Sequence, residues 1–314
     1  MRSAVLLLAV LTSAAAQDRT ISSDGDLRSV AFSKDGNSII GLCSDNKLRV
    51  WDSSSGALRK ASGWAADERP IGLQATAGIL ALAGKDAVSF ADVSTGAAVR
   101  KVPIGPRLSR IAVTGDGQAL AGSTRVAGNA RDEVMRLWDA TGKQRFEVPS
   151  GIGGTSTLAI SPDGSILVAG SYDTNVRIWN TRNGELVRLI EDLPVAMFDM
   201  AFSPDGAVLA AAGVDRTVYL WETKSWKLQR KFSGQEEMIS ALAFSWDGKM
   251  LATGGFNDIT QKHPVSVLLW DMASGKVVKT MPAPHRVGSV AFSPDGKLIA
   301  ATSGDKAVRL WNVR

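Results

Sequence analysis

Side chains able to do chemistry are few in this chain, and their spacing points away from catalysis. Asp45, Asp132, Asp173, Asp215 and Asp305 each stand six residues before a Trp, namely Trp51, Trp138, Trp179, Trp221 and Trp311. General acid–base work needs carboxylates in unlike surroundings that drive their pKa values apart. Five copies of one position in hairpin-like segments instead suit turn capping, in which the carboxylate accepts from backbone N–H groups. His263 and His285 are the two histidines, and with no clear third ligand they make a poor metal site. Cys43 is alone, so neither an intrachain disulfide nor a cysteine-based metal cluster can form. It ends the apolar run Ile39-Ile40-Gly41-Leu42-Cys43 and reads as a small buried hydrophobe. No nucleophile elbow, phosphate-binding glycine loop or His-x-x-x-His pair is present in the sequence. The expectation is a protein that is not an enzyme, with no cofactor and no metal.

The elements that would carry these residues follow from composition. Hydrophobic residues make up 45% of the 314 and charged residues only 21%, which supports a large core and argues against disorder. The 31 glycines recur at regular intervals, a sign of many short strands and tight turns. The net charge of +5 is mild, and its Lys and Arg residues are scattered. A nucleic-acid binder would concentrate them in a stripe, so no nucleic-acid partner is expected. At the N-terminus a positive start at Arg2 precedes an apolar stretch from Ala4 to Leu11 and a small-residue end at Ala14-Ala15-Ala16. This pattern predicts a signal peptide over residues 1–16 and a secreted or periplasmic protein of bacterial source. Eight apolar residues fall far short of the roughly 20 needed to span a bilayer, so no membrane span is expected.

Internal repetition decides the fold. Ala31-Phe32-Ser33-Lys34-Asp35-Gly36 returns as Ala159-Ile160-Ser161-Pro162-Asp163-Gly164, Ala201-Phe202-Ser203-Pro204-Asp205-Gly206, Ala243-Phe244-Ser245-Trp246-Asp247-Gly248 and Ala291-Phe292-Ser293-Pro294-Asp295-Gly296, with a looser copy from Ala112 to Gly117. Each repeat closes on Trp51-Asp52, Trp138-Asp139, Trp179-Asn180, Trp221-Glu222, Trp270-Asp271 or Trp311-Asn312. One further unit, Phe90-Ala91-Asp92, fits the phase with Ala91 in the Trp position. Successive landmarks lie 40, 47, 41, 42, 49 and 41 residues apart, close to one four-stranded unit per repeat. Seven units are counted.

From Thr20 to Asn312 these motifs resemble the WD-repeat family. The resemblance implies an all-β fold: a seven-bladed β-propeller of four-stranded antiparallel blades over residues 17–314, its ring closed by the mature N-terminal strand around Arg19-Thr20-Ile21-Ser22. It implies a monomeric protein-interaction scaffold working on the face that bears the loops between second and third strands. In this family the residue before each hairpin Asp points outward there, which makes Tyr172 and Arg131 candidate contacts, with His263 in an unusual repeat. Arg69, Arg107 and Arg286, at the starts of first strands, would ring the same face and favour an acidic protein partner. Two loops are longer than the rest, roughly Arg125 to Asp132 and Phe256 to Pro264. The family's buried His is missing, with Gln235 in its register. The alternative is a propeller enzyme or small-ligand binder using the central channel, since Ala91-Asp92-Val93-Ser94-Thr95-Gly96 also looks like a turn of quinone-cofactor dehydrogenases. The close copies of the Ala-Phe-Ser type favour the WD reading, and the inner-strand starts, including Met197, Phe198 and Met238, are mixed in character.

Overall fold

The repeated Ser-x-Asp-Gly turn shows how sequence becomes strand. Ser33 Oγ donates to Asp35 Oδ1 (2.6 Å) and accepts from the Ser38 N–H (2.9 Å), while Asp35 accepts from the Asn37 N–H (3.0 Å). The same three-way lock recurs at Ser161/Asp163, Ser203/Asp205, Ser245/Asp247 and Ser293/Asp295. The glycine that follows adopts a φ near +70°, as at Gly164 (71°) and Gly206 (71°), where a Cβ would be strained. Each lock joins the first and second strands of a sheet and fixes their register.

The computed structural model describes residues 18–45, 47–63, 74–76, 79–83, 86–92, 97–104, 108–114, 117–126, 129–257 and 265–313. They form seven four-stranded antiparallel sheets. Sheet 1 holds Leu27–Phe32, Ser38–Cys43, Lys47–Asp52 and Leu58–Gly63. Sheet 2 holds Gln74–Thr76, Ile79–Ala83, Ala87–Asp92 and Ala98–Pro103, and sheet 3 holds Leu108–Val113, Ala119–Val126, Asn129–Asp139 and Gln144–Ile152. Sheet 4 holds Thr155–Ile160, Ile166–Ser171, Val176–Asn180 and Leu186–Ile190. Sheet 5 holds Met197–Phe202, Val208–Gly213, Thr217–Glu222 and Leu228–Ser233, and sheet 6 holds Met238–Phe244, Met250–Phe256, Val265–Asp271 and Val277–Ala283. Sheet 7 combines Val290–Phe292, Leu298–Ser303 and Ala307–Asn312 with the early strand Arg19–Ser22, which pairs with Ala307–Asn312. First strands neighbour one another in chain order, and that of sheet 7 neighbours that of sheet 1. The arrangement is consistent with a seven-bladed β-propeller.

The tryptophans lie where the repeat phasing places them. Trp51, Trp138, Trp179, Trp221, Trp270 and Trp311 are all buried, and each belongs to an apolar cluster shared with the preceding sheet. Trp51 packs with Val308 and Leu310 of sheet 7, and Trp270 with Val218 and Leu220 of sheet 5. Among the described residues no such cluster joins sheet 1 to sheet 2, where Ala91 replaces the Trp.

Candidate protein-binding face

Hairpins between second and third strands meet the loops that lead into first strands on one side of the molecule. Three backbone bonds show it. Ser44 N–H donates to Asp26 O (2.7 Å), Tyr172 N–H to Gly154 O (3.1 Å) and Gly304 N–H to Arg286 O (3.0 Å). In each case the donor immediately precedes the hairpin Asp. Tyr172 and Arg286, both singled out in the sequence, therefore occupy the same face.

The hairpin aspartates do cap their turns. Asp45 accepts from the Lys47 N–H (3.1 Å), Asp173 from the Asn175 N–H (3.1 Å) and Asp215 from the Thr217 N–H (3.4 Å). They have a second role that the sequence reading missed. Asp45 pairs with Arg49 (2.8 Å), Asp173 with Arg177 (2.8 Å) and Asp305 with Arg309 (2.6 Å). The signal was present as Asp-x-x-x-Arg-x-Trp, which also spans Asp132, Arg136 and Trp138. The Asp132 side chain lies outside the described residues; Arg136 pairs with Glu147 (2.7 Å). In sheet 5 a tyrosine replaces the arginine: Tyr219 Oη donates to Asp215 Oδ2 (2.6 Å), and burial and that bond push the phenol pKa up. The Arg309 hydrogen bond holds the Asp305 carboxyl down at about 2. Burial raises the Asp173 carboxyl, yet Arg177 and the N–H groups of Asn175 and Ile152 carry it below its ordinary value.

These clamps make the hairpins rigid platforms. Gly151 has a φ of 114°, and a Cβ there would lie 2.3 Å from Arg177 Nη1 and 2.7 Å from Asp173 Oδ2. At the hairpin of sheet 4 Tyr172 is exposed (53%), and beside it Ile152, which ends the last strand of sheet 3 and donates its N–H to Asp173, is exposed too (77%). Three sheets further on, the exposed Arg286 guanidinium lies 4.9 Å from the Phe256 ring, which stacks on Phe198 at 6.2 Å. Arg69, Arg107 and His263 lie outside the described residues, as does the side chain of Arg131.

The missing histidine has a working substitute in sheet 6. Trp270 Nε1 donates to Thr253 Oγ1 (2.9 Å), whose hydroxyl donates to Gln235 Oε1 (2.6 Å). Gln235 Nε2 then donates to Glu237 Oε2 (3.0 Å) and Ser266 O (3.1 Å). Gln235 is 5% exposed, so this chain of bonds crosses the interior and fixes the loop entering sheet 6.

First strands line a central cavity of about 520 Å³. In sheets 1, 3, 4, 5 and 6 they carry a register shift near their start, between Leu27/Ser29, Leu108/Arg110, Thr155/Thr157, Met197/Asp199 and Ile239/Ala241. Such bulges re-aim side chains, here Arg28 and Phe198 at the cavity wall. Asp199 accepts from the N–H groups of Met200 (2.9 Å) and Leu242 (2.8 Å), joining sheet 5 to sheet 6. Ser289 Oγ does the same from sheet 7 to sheet 1, accepting from Val30 N–H (3.2 Å). Burial pushes the Asp199 carboxyl up to about 7, against the pull of Arg110. Sequence reading did not single out Asp199 or Arg110, because neither belongs to a repeated motif. Among the described residues there is no cluster of three or more His, Cys, Asp or Glu able to hold a metal, and no helix long and apolar enough to cross a membrane.

Known proteins fit this architecture. The WD domain, G-beta repeat family matches residues 12–52, 148–180, 194–222, 226–259 and 275–312, together more than half of the chain. The chain belongs to the WD-repeat family. It is similar to the coronin-like protein of Saccharomyces cerevisiae, with 41% identity over 49 residues, 16% of this chain and 8% of that protein. It is also similar to eukaryotic translation initiation factor 3 subunit I of Emericella nidulans (35% over 63 residues, 20% of this chain and 19% of that one) and of Aspergillus niger (33% over 69 residues, 22% and 20%). The chain thus aligns with about a fifth or less of each of these relatives.

These relatives correct the expectation of a secreted or periplasmic protein of bacterial source. The proteins this chain is similar to are a eukaryotic initiation factor subunit and a coronin-like protein, and they overturn that expectation. A short apolar run ending in small residues is a compositional pattern, and the same composition serves other ends than export.

Proposed function

We propose that this chain is a non-catalytic scaffold that holds a protein partner on the face bearing the second-to-third-strand hairpins. WD-repeat proteins generally act as protein-interaction scaffolds, and the observation that carries the reading to this face is the exposed Tyr172–Ile152 pair. Large apolar side chains held exposed at a clamped hairpin supply contact area at little ordering cost, the character of interface anchors. Arg286, fixed over Phe256, adds a cation and favours an acidic partner surface. Arg107, Arg69, Arg131 and His263 are kept as further candidates on the ground of their places in the repeat alone. The pairing of Arg19–Ser22 with Ala307–Asn312 supports the N-terminal strand as the closure of the ring, which leaves the face rigid in a single copy.

The test is capture by the immobilised full chain from an extract of its native source, beside a Tyr172→Ala/Ile152→Ser variant of unchanged melting temperature. A protein retained by the native chain and lost by the variant supports the scaffold and its face. A protein held equally by both places the working surface elsewhere and refutes the face assignment.

A further inference from the structure

We propose that the face opposite the hairpins carries a second docking site, at the junction of sheets 6 and 7, for an extended proline-bearing segment with a basic residue close by. The first-to-second-strand turns stand at the other end of each second strand from the hairpins, so they belong to that opposite face. There the turns are sealed to one another, the proline of one lying on the glycine of the next. A Cβ at Gly206 would be 3.6 Å from Pro162 Cδ, one at Gly248 3.7 Å from Pro204 Cδ, and one at Gly36 3.5 Å from Pro294 Cδ. These contacts close the junctions of sheets 4 and 5, 5 and 6, and 7 and 1. At the junction of sheets 3 and 4 a methyl does the same work, with Thr114 Cγ2 3.1 Å from a Cβ at Gly164.

The junction of sheets 6 and 7 breaks this series. Trp246 takes the proline's place in the turn, and a Cβ at Gly296 would meet no atom within 4 Å. The indole is not laid over the neighbouring turn but stands with 54% of its surface exposed. Gly296 has the same backbone as the covered glycines, with a φ of 68° against 73°, 71° and 68° at Gly36, Gly206 and Gly248. The chain itself therefore shows, three times, that a proline ring fits this glycine surface. An incoming proline can lie there with the Trp246 indole beside it. Proline-bearing segments dock on exposed aromatic side chains in this manner, and their extended helix is formed before binding, which keeps the ordering cost low.

Charge sets the second requirement. Asp205, Asp247 and Asp295 stand in the turns around this junction, and the hydrogen bond from the preceding Ser is the main cause holding each carboxyl below its ordinary value. Lys249 answers Asp247 (3.9 Å) and Lys297 answers Asp295 (3.2 Å). In sheet 5 Ala207 stands where those lysines stand. Asp205 accepts from Ser203 Oγ (2.6 Å) and the Ala207 N–H (3.0 Å) and has no ion pair among the described residues. It follows Pro204, which lies on the turn of Trp246, so this unanswered negative charge borders the site. A lysine or arginine a few residues from the docked proline would meet it.

The site does not rest on the proposed partner face, and the two are tested apart. The full chain is titrated by calorimetry with a capped oligoproline peptide ending in a pair of lysines. Comparison peptides carry alanines for the prolines or glutamates for the lysines. One saturable site is expected, with each comparison peptide about fivefold weaker or more. Trp246→Pro should close the junction as Pro204 and Pro294 close theirs, leaving the melting temperature unchanged or raised while peptide binding is lost. Trp246→Ala, which removes an exposed side chain, should stay folded and bind about tenfold more weakly. Asp205→Asn should weaken the lysine peptide and leave the glutamate peptide no weaker than before. Tyr172→Ala/Ile152→Ser should bind the peptide as the native chain does. Absence of saturable binding, equal binding of the alanine peptide, or equal binding by Trp246→Pro would overturn the proposal.

Discussion

Replacing Asp199 with Asn gives the sharpest test of how the innermost strands are joined. In the folded chain this carboxyl titrates at about 7, because burial outweighs the N–H groups of Leu242 and Met200 and the attraction of Arg110. Unfolded, it titrates near the ordinary value of about 3.9. A folded pKa above the unfolded one means that the native state holds the extra proton between these values. The contribution to stability is therefore complete below about pH 4 and is lost as pH rises through 7. Three units correspond to a ceiling of about 4 kcal/mol, and water reaching the cavity wall lowers the expected loss to about 2–4 kcal/mol. The Asn variant cannot titrate, and its NH₂ group faces one of the two N–H donors, a fixed penalty of about 1–3 kcal/mol. Urea unfolding of both proteins at about pH 5 and about pH 8.5 separates the two effects, since all other groups cancel in the difference. The native advantage should be largest at the acid end and shrink or invert at the alkaline end. A difference independent of pH, or one growing with pH, would refute a buried, proton-retaining Asp199.

Other perturbations test the remaining supports. Thr253→Val strands Trp270 Nε1 and Gln235 Oε1 in the interior, and a loss of about 2–4 kcal/mol in denaturant unfolding is expected. Gly151→Ala drives a Cβ into the Asp173–Arg177 pair at a φ of 114°, and should lower stability by about 2–4 kcal/mol and weaken partner capture with it. Trp51→Ala, at the contact between sheets 1 and 7, should reduce stability by about 3–5 kcal/mol, measured by chemical denaturation. Asp305, depressed to about 2, contributes stability that is present above its unfolded pKa and is lost as pH falls through 2. Arg309→Met should remove about 1–2 kcal/mol at neutral pH and flatten that acid limb in a pH series of melting temperatures.

The repeated motifs carried most of the fold because their meaning is local. A Ser two residues before an Asp and three before a Gly locks its turn with bonds that reach no further than five residues. Spacing alone then places one buried Trp in each of six sheets and Ala91 at that position in the seventh, and Gln235 could be set in the histidine's register by counting. Localisation was misread for the same reason: the first sixteen residues were weighed by composition, which many sequences share. Tyr172 and Arg286 were legible as face residues because they stand at fixed offsets from the repeat landmarks.

The cavity belonged to the tertiary structure. Arg28, Arg110 and Asp199 stand on three different sheets, separated by more than eighty residues of chain, and no repeat relates them. Their shared environment exists only once seven sheets are brought around one axis, and the Asp199 pKa is created by burial that no linear neighbour supplies. The nearness of the Tyr172 hairpin to the segment of Ile152 likewise depends on adjacent sheets meeting, through Tyr172 N–H to the Gly154 carbonyl and Ile152 N–H to Asp173. Sequence by itself determined the turns, the strands and the number of sheets, since these follow from short-range hydrogen bonding and periodic burial. Tertiary structure decided which charges face one another, because electrostatics and desolvation depend on distance through space and not along the chain.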